Sequence, residues 1–461
     1  MLKKRLLCLM LSMLLVLAAA GCSKEVEAKT VTLKTVSILG GSSEMDVYGG
    51  VLAAFSAENS SIYVRDTTVN RSEAYKLDAA LEATYTGTDS PDVVYYYAQE
   101  LSGESLRKYF VPLSEIRKDY PDFASGISDK ALDCVRADDG EVYCIPCFGE
   151  FSGIAVNTKL LAEIPSDKTQ LVSAAKELAA SGVILFANPA DDCAAVIQQI
   201  LLCTGGEQSV ADALDCVSGS DVLWNGTLAI YDELYNAGAF PPAAITDELA
   251  QYVSASDLHD AILGADRDKK NRTDAFELFN SGKAAMIAFS TEDYNRITVT
   301  DSVELVMLPL SPVNWVTAAY SEGFFITRTA YNSTVRRDLA VGLVDEMASA
   351  QNCADYAKAA GGVSANTDIS PLGNTLSASA SKRVFESSVI YKNSVSDLDT
   401  TRWNEIESHI AAHSSGAVDV GQTVTLLTDR TVDLNELKTQ EMQQNSVVSA
   451  SDVPAVQPAG I

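Results

Sequence analysis

Asp274-Ala-Phe-Glu-Leu-Phe-Asn-Ser-Gly-Lys-Ala-Ala-Met286 is the stretch on which the reading of this 461-residue chain turns. The spacing predicts a helix over 274–280, ended by Gly282, since only glycine adopts the left-handed terminator cheaply. A strand follows over 284–289 and another over 303–308. The same alternation runs outward from there. A β-branched run over 31–39 ends at Gly40-Gly41 and reads as a buried first strand. Val47, Val51, Ala54 and Phe55 recur at helical spacing over 46–58. A strand over 62–65, a helix over 72–85 and a strand over 92–97 come next. Strand, helix, strand, helix, strand implies an α/β fold built on an open, mostly parallel sheet with flanking helices.

Helices are expected over 159–162, 168–180, 194–203 and 220–237, with a strand over 183–187 among them. The last helices are expected over 336–348, 353–360, 381–391 and 401–412. Beyond about residue 437 the chain turns to Gln, Ser, Val and Pro without period, which reads as a disordered tail over 438–461. No internal repeat is found.

The N-terminus reads as a secretion signal over residues 1–21: Lys3, Lys4 and Arg5, an apolar run over 6–17, then Ala18, Ala19, Ala20 and Gly21. The apolar run falls short of the roughly 20 residues a membrane span needs. Leu17-Ala-Ala-Ala-Gly-Cys22 resembles a bacterial lipobox, with Ala19 where leucine is commonest, and Cys22 is then the lipid-bearing residue. Residues 22–30 read as a flexible polar tether.

Removing the three basic residues of the signal from 34 leaves 31 Lys and Arg against 62 Asp and Glu. A mature charge near −31 disfavours nucleic acid, whose binding rests on Lys and Arg at phosphates. It also disfavours direct adhesion to anionic lipid. The roughly 410 residues between tether and tail suffice for two to three domain-sized units.

Four stretches, in order and spacing, resemble the extracellular solute-binding proteins of family 1, the group that includes maltose-binding protein. They are Thr86-Gly-Thr-Asp-Ser-Pro-Asp-Val-Val-Tyr95, Asp139-Gly-Glu-Val-Tyr-Cys-Ile-Pro146, the 274–286 stretch, and Val306-Met-Leu-Pro309. The resemblance covers roughly residues 31–437. It implies a two-lobed, type II periplasmic-binding-protein-like fold with the ligand in a cleft between lobes. Residues 31–146 with 321–374 are expected in lobe one, and 153–316 with 375–437 in lobe two. It further implies a monomeric, lipid-anchored receptor on the extracytoplasmic face of the cell membrane. Such a receptor carries a small solute, above all a sugar or oligosaccharide, to the permease of an ABC importer. No cofactor or metal is expected, and no enzyme activity.

Sugar sites combine aromatic platforms with carboxylates and amides that meet hydroxyls. By the resemblance, Glu150 falls on a ligand-binding glutamate at the first crossover, Tyr294 on an aromatic cleft residue and Trp403 on a stacking aromatic. Glu292 stands where the relative has tryptophan. From lobe one, Ser42, Ser43 and Glu44 follow the first strand. Tyr96, Tyr97 and Gln99 follow the third, at the carboxyl ends where open sheets bind ligands. Three consecutive tyrosines cannot all face the core, because side chains alternate along a strand. Trp315 and Tyr320 are weaker candidates.

Rival readings are a polyamine or other cationic ligand, motivated by Glu44, Glu150 and Glu292, and a glycosidase built on paired acids. Cys144-Ile-Pro-Cys147 has redox spacing but leaves a hairpin instead of opening a helix, where a reactive thiol would sit. His409 and His413 lack the glutamate that a zincin requires. Seven cysteines remain after Cys22, an odd number. Cys134 and Cys144 flank the turn at 138–140, which leaves a disulfide between them open.

Overall fold

The first strand, β1 (Val31–Gly40), buries Leu33, Thr35 and Ser37 in alternation and then Ile38 and Leu39. A computed structural model describes residues 31–431 except 60, 75–84, 86–88, 190–192, 242–273, 300–301, 309, 311–314, 388, 392–399, 415 and 417. The signal, Cys22, the tether, the tail and most of the helix expected over 72–85 lie outside the described residues.

β1 pairs in parallel with β2 (Ile62–Asn70) and β3 (Val93–Tyr97). A strand from far along the chain, β10 (Glu322–Ile326), runs antiparallel between β3 and β4 (Cys144–Ile145). The first sheet therefore has the order β2-β1-β3-β10-β4. A second sheet is centred on the long β5 (Phe148–Asn157), flanked by β7 (Ala284–Ser290) and β9 (Trp315–Ala319), with β6 (Ile184–Phe186) and β12 (Val389–Tyr391) outermost. The strands β8 (Val303–Val306) and β11 (Val363–Ser364) also pair with β5.

Helices Glu44–Glu58 and Thr334–Met347 cover the first sheet, and Ala350–Ala360 packs on Glu44–Glu58 and against β5 and β11. Helices Lys168–Ala180, Ala194–Gly205, Ser220–Asn236, Thr400–Ser414 and Val420–Thr428 build the second lobe. The second core gathers Trp224, Tyr231, Ile406 and Leu427. The chain passes between sheets from β4 to β5 and returns from β9 to β10 across Tyr320 and Ser321. The result is a two-lobed α/β fold.

The helix and strand expected around Gly282 are present, and Gly282 takes φ +72°. Several details differ from the sequence reading. Both sheets are mixed instead of mostly parallel, because β10 and β5 run against their neighbours. Residues 158–160 form a turn and no helix covers 159–162. The helix expected over 381–391 is Leu376–Glu386, capped by Thr375 and followed by β12. All seven described cysteines are free thiols, so Cys134 and Cys144 are not bridged: Cys134 ends a helix, and only one isolated bridge, Arg136 to Val142, spans the turn. Among the described residues no helix is long and apolar enough to cross a membrane.

Asp92, fully buried at the head of β3, locks the first sheet to its helix. Its carboxylate accepts the Lys34 amide at 2.9 Å and Arg336 Nη1 at 2.9 Å. Asp92→Ala leaves both donors without it, and breaking a buried pair is destabilising by several kcal/mol. Arg336 is a quarter exposed and regains some water. The expected loss is therefore about 2–3 kcal/mol at the lower end of that range, read as a drop in denaturant midpoint at unchanged slope.

Candidate functional site

Four chain ends of the first sheet meet the crossing strand of the second. Glu44 opens the helix after β1, Arg71 follows β2, Tyr97 ends β3, and Glu322 starts β10 in register with Tyr97. The register follows from the antiparallel return of β10, which brings its beginning to the carboxyl edge of its neighbours. From the crossing strand come Phe148, Gly149 and Glu150, and from the turn after β7 comes Thr291. Together with Tyr95, Ala319, Ser321 and Ala360 they line a cavity of about 310 Å³.

The wall on lobe one is a hydrogen-bonded ion cluster. Arg71 donates two parallel bonds to Glu322, Nε to Oε1 at 3.0 Å and Nη2 to Oε2 at 2.9 Å. Glu44 lies 3.7 Å from the same guanidinium. Burial works against the Arg71 charge, but the bonds to Glu322 outweigh it and raise the pKa above the usual range. Burial also pushes the Tyr95 phenol well up, reinforced by the Glu322 charge, so Tyr95 stays protonated. Phe148 stacks between Tyr95 at 6.4 Å and Tyr356 at 5.5 Å, which fixes the aromatic side of the cavity.

The backbone approaches closely at its floor. A Cβ on Gly149 would lie 2.4 Å from the Ala319 carbonyl oxygen, and one on Gly362 would lie 2.2 Å from that of Gly149. No side chain fits at either position without a main-chain shift.

Of the residues singled out in the sequence, Glu44, Tyr97 and Glu150 come together here. Ser42 turns inward to donate to the Leu39 carbonyl at 2.8 Å. Ser43 donates to the Ala359 carbonyl at 2.8 Å and to Glu44 at 3.2 Å, outside the cavity lining. Tyr96 points to the opposite face of β3 and donates to the Ala74 carbonyl, fully buried. Gln99 is exposed on the short helix Ala98–Ser102. Tyr294 packs against Gly361, and the side chain of Glu292 lies outside the described residues.

Trp403 is corrected outright. It is 2% exposed in the core of the second lobe, with Ile406 and Ile410 on the same helix face. The spacing i, i+3, i+7 is that of a buried stripe, which an alignment by resemblance passed over. Tyr320 is likewise core, donating to the Ser364 carbonyl at 3.0 Å. His413 pairs with Asp232 at 2.8 Å, and among the described residues no three metal-ligating side chains gather.

Residues 51–382 match the family of bacterial extracellular solute-binding proteins. The chain belongs to that family. No curated protein matches this solute-binding protein in sequence at a significant level. Solved structures share its fold. A probable secreted solute-binding lipoprotein from Streptomyces coelicolor is 19% identical, with TM-score 0.61, over 86% of this chain and 97% of the other. Apo RafE from Streptococcus pneumoniae is 16% identical, with TM-score 0.61, over 87% and 97%. The bacterial solute receptor AcbH, described as having an exclusive preference for β-D-galactopyranose, is 12% identical, with TM-score 0.59, over 87% and 97%.

Arg71 and Glu322 of this solute-binding protein escaped the sequence reading. The expected strand over 62–65 stops short of Asp66-Thr-Thr-Val-Asn70, the polar end of β2, and no strand is expected at β10. Extending β2 by its β-branched Thr67, Thr68 and Val69 would have placed Arg71 at a carboxyl strand end.

Proposed function

We propose that this solute-binding protein is the receptor of an ABC-type importer, anchored by lipid at Cys22 on the extracytoplasmic face of the membrane, and that its cleft takes a sugar. The cavity between the lobes carries this reading, because the half-buried ring of Tyr97 lies beside Glu44, Arg71, Glu150 and Glu322, which meet hydroxyls. The galactopyranose preference given for AcbH is consistent with it. A cavity of about 310 Å³ lies at the small end of ligand sites and favours one or two rings over a longer oligosaccharide. The ligand holds the lobes closed by its differential affinity for the closed form, and that form is what the permease engages.

A thermal-shift screen with mono- and oligosaccharides, polyamines and amino acids tests the reading. A ligand at 100 times its dissociation constant adds about 2.7 kcal/mol to apparent stability. The expected result is a sugar giving the largest shift with no hydrolysis product; polyamines shifting the protein while every sugar fails would sink the proposal. Glu150→Ala is expected to weaken that sugar about tenfold by calorimetry, the low end for a lost charge-assisted hydrogen bond. Anchoring is checked separately. Stable attachment needs more than one acyl chain, so Cys22→Ala is expected to appear in the medium, and retention in the membrane fraction would count against the lipid.

A further inference from the structure

The Met347 carbonyl, at the end of the helix Thr334–Met347, accepts from two thiols at once, Cys147 at 3.3 Å and Cys353 at 3.9 Å. Two sulfurs gathered on one oxygen are neighbours, and Cys353 also acts on the Cys147 thiol directly as a hydrogen-bond partner. They come from distant parts of the chain. Cys147 lies in the passage from β4 to β5, where the chain leaves the first sheet, and Cys353 lies on the helix Ala350–Ala360. Both are buried. Cys144, three residues before Cys147, acts on it less strongly than Cys353 does. Among the described residues no three metal-ligating side chains gather, so a bound metal does not account for the grouping.

We infer that Cys147 and Cys353 are joined by a disulfide in the exported protein. The family is extracellular, and disulfides form and persist in oxidising compartments outside the cytoplasm. The described structure, with all seven thiols free, is the reduced form. The inference rests on export and is independent of the solute the cleft takes.

The step is thiol–disulfide exchange with a disulfide-bearing oxidant. One cysteine, as thiolate, attacks a sulfur of the oxidant's disulfide, forms a mixed disulfide and expels one oxidant thiolate. The other cysteine attacks the protein sulfur of that mixed disulfide, closes the new bond and expels the second. The protein loses two protons and two electrons, and the oxidant takes them up as two thiols. Burial pushes the Cys147 thiol well above its ordinary range and Cys353 raises it further, so in the folded chain these groups stay protonated and inert. Exchange therefore precedes closure of the core, and the finished bond is sealed from solvent.

The bond fastens one flank of the cleft. Phe148 follows Cys147, Tyr356 stands one turn beyond Cys353, and their rings stack at 5.5 Å. The Cys147 carbonyl accepts the Ala365 amide at 3.0 Å. Ala360, at the end of the same helix, lines the cavity with Phe148 and Gly149. The disulfide thus pins the crossing strand to the helix beside it, at the point where the strand enters the cavity wall.

The experiment is differential alkylation of the chain exported with its own leader. The protein is unfolded in urea with N-ethylmaleimide and no reductant, then reduced, treated with iodoacetamide, digested and read by mass spectrometry. Cys147 and Cys353 are expected to carry the second label and the other five described cysteines the first, and a digest kept unreduced is expected to contain the cross-linked peptide. All seven carrying the first label would overturn the inference, as would Cys147 joined to Cys144 or to any other partner. Urea unfolding gives a second measurement. Reductant reaches the bond once the chain opens, so the midpoint is expected to fall by about 1 M when reductant is present. Cys353→Ala is expected to show one midpoint with and without reductant and to leave Cys147 with the first label. A parent midpoint indifferent to reductant would overturn the pinning role.

Discussion

Trp403→Ala is expected to lower folding stability by about 3–5 kcal/mol, the range for truncating a large aromatic in a packed core. The indole sits at 2% exposure among Trp224, Ile406, Ile410 and Leu427, and the neighbouring Arg402 is itself 3% exposed, donating to the Leu214 and Leu427 carbonyls at 3.2 and 2.6 Å. That grip holds the Thr400–Ser414 helix in place, so the vacated volume cannot easily collapse. Trp403→Phe is a useful second variant. The Trp403 indole N–H has no partner among the described residues, so phenylalanine removes an unmet donor while keeping most of the apolar contact. Its loss is expected to stay below about 1.5 kcal/mol. Urea unfolding of both variants measures this, and a Trp403→Ala midpoint equal to the parent's would move the residue out of the core.

Arg71→Ala is expected to weaken ligand binding by about a hundredfold, roughly 2.7 kcal/mol. The guanidinium is the cationic element of the lining, and its loss leaves Glu44 and Glu322 facing each other without a counter-charge. Their repulsion disorders the wall on which Tyr95 and Tyr97 stand, so positioning is lost along with a hydrogen-bond donor. Arg71→Lys restores charge but not the two parallel bonds. It is expected to recover only part of the affinity, and full recovery would show that charge alone matters. Arg71 is one-third exposed, so the fold itself should lose little.

The framework of alternating helices and strands was legible because each element carries its own period: β1, the helix over 274–280 and β7 were all apparent from local pattern. What escaped was the pairing of strands that follow the chain's return from one lobe to the other. The strands β9 and β10 lie more than a hundred residues from the strands they run against, and their antiparallel return is a property of topology, not of local propensity. The site shows the same division. Glu44 and Tyr97 follow strands that announce themselves, so carboxyl-end reasoning reached them. Glu322 starts a strand that does not, and it sits in the cleft only because β10 runs backwards beside β3. Trp403 was misplaced for the opposite reason: an alignment to a relative outweighed the chain's own helical stripe.

The ion cluster lies wholly on one side. Glu44, Arg71, Tyr97 and Glu322 belong to the first lobe, while Thr291 reaches the cavity from the second. If closure proceeds as proposed, capture is sequential: solute lands on a prebuilt half-site and the other half then seals it. The two halves then govern different clocks. Alterations on the first lobe should slow arrival, whereas Thr291→Val should shorten residence with arrival nearly unchanged. Stopped-flow traces following intrinsic fluorescence separate the two phases, and the slower of them sets how many solutes one receptor can deliver per second.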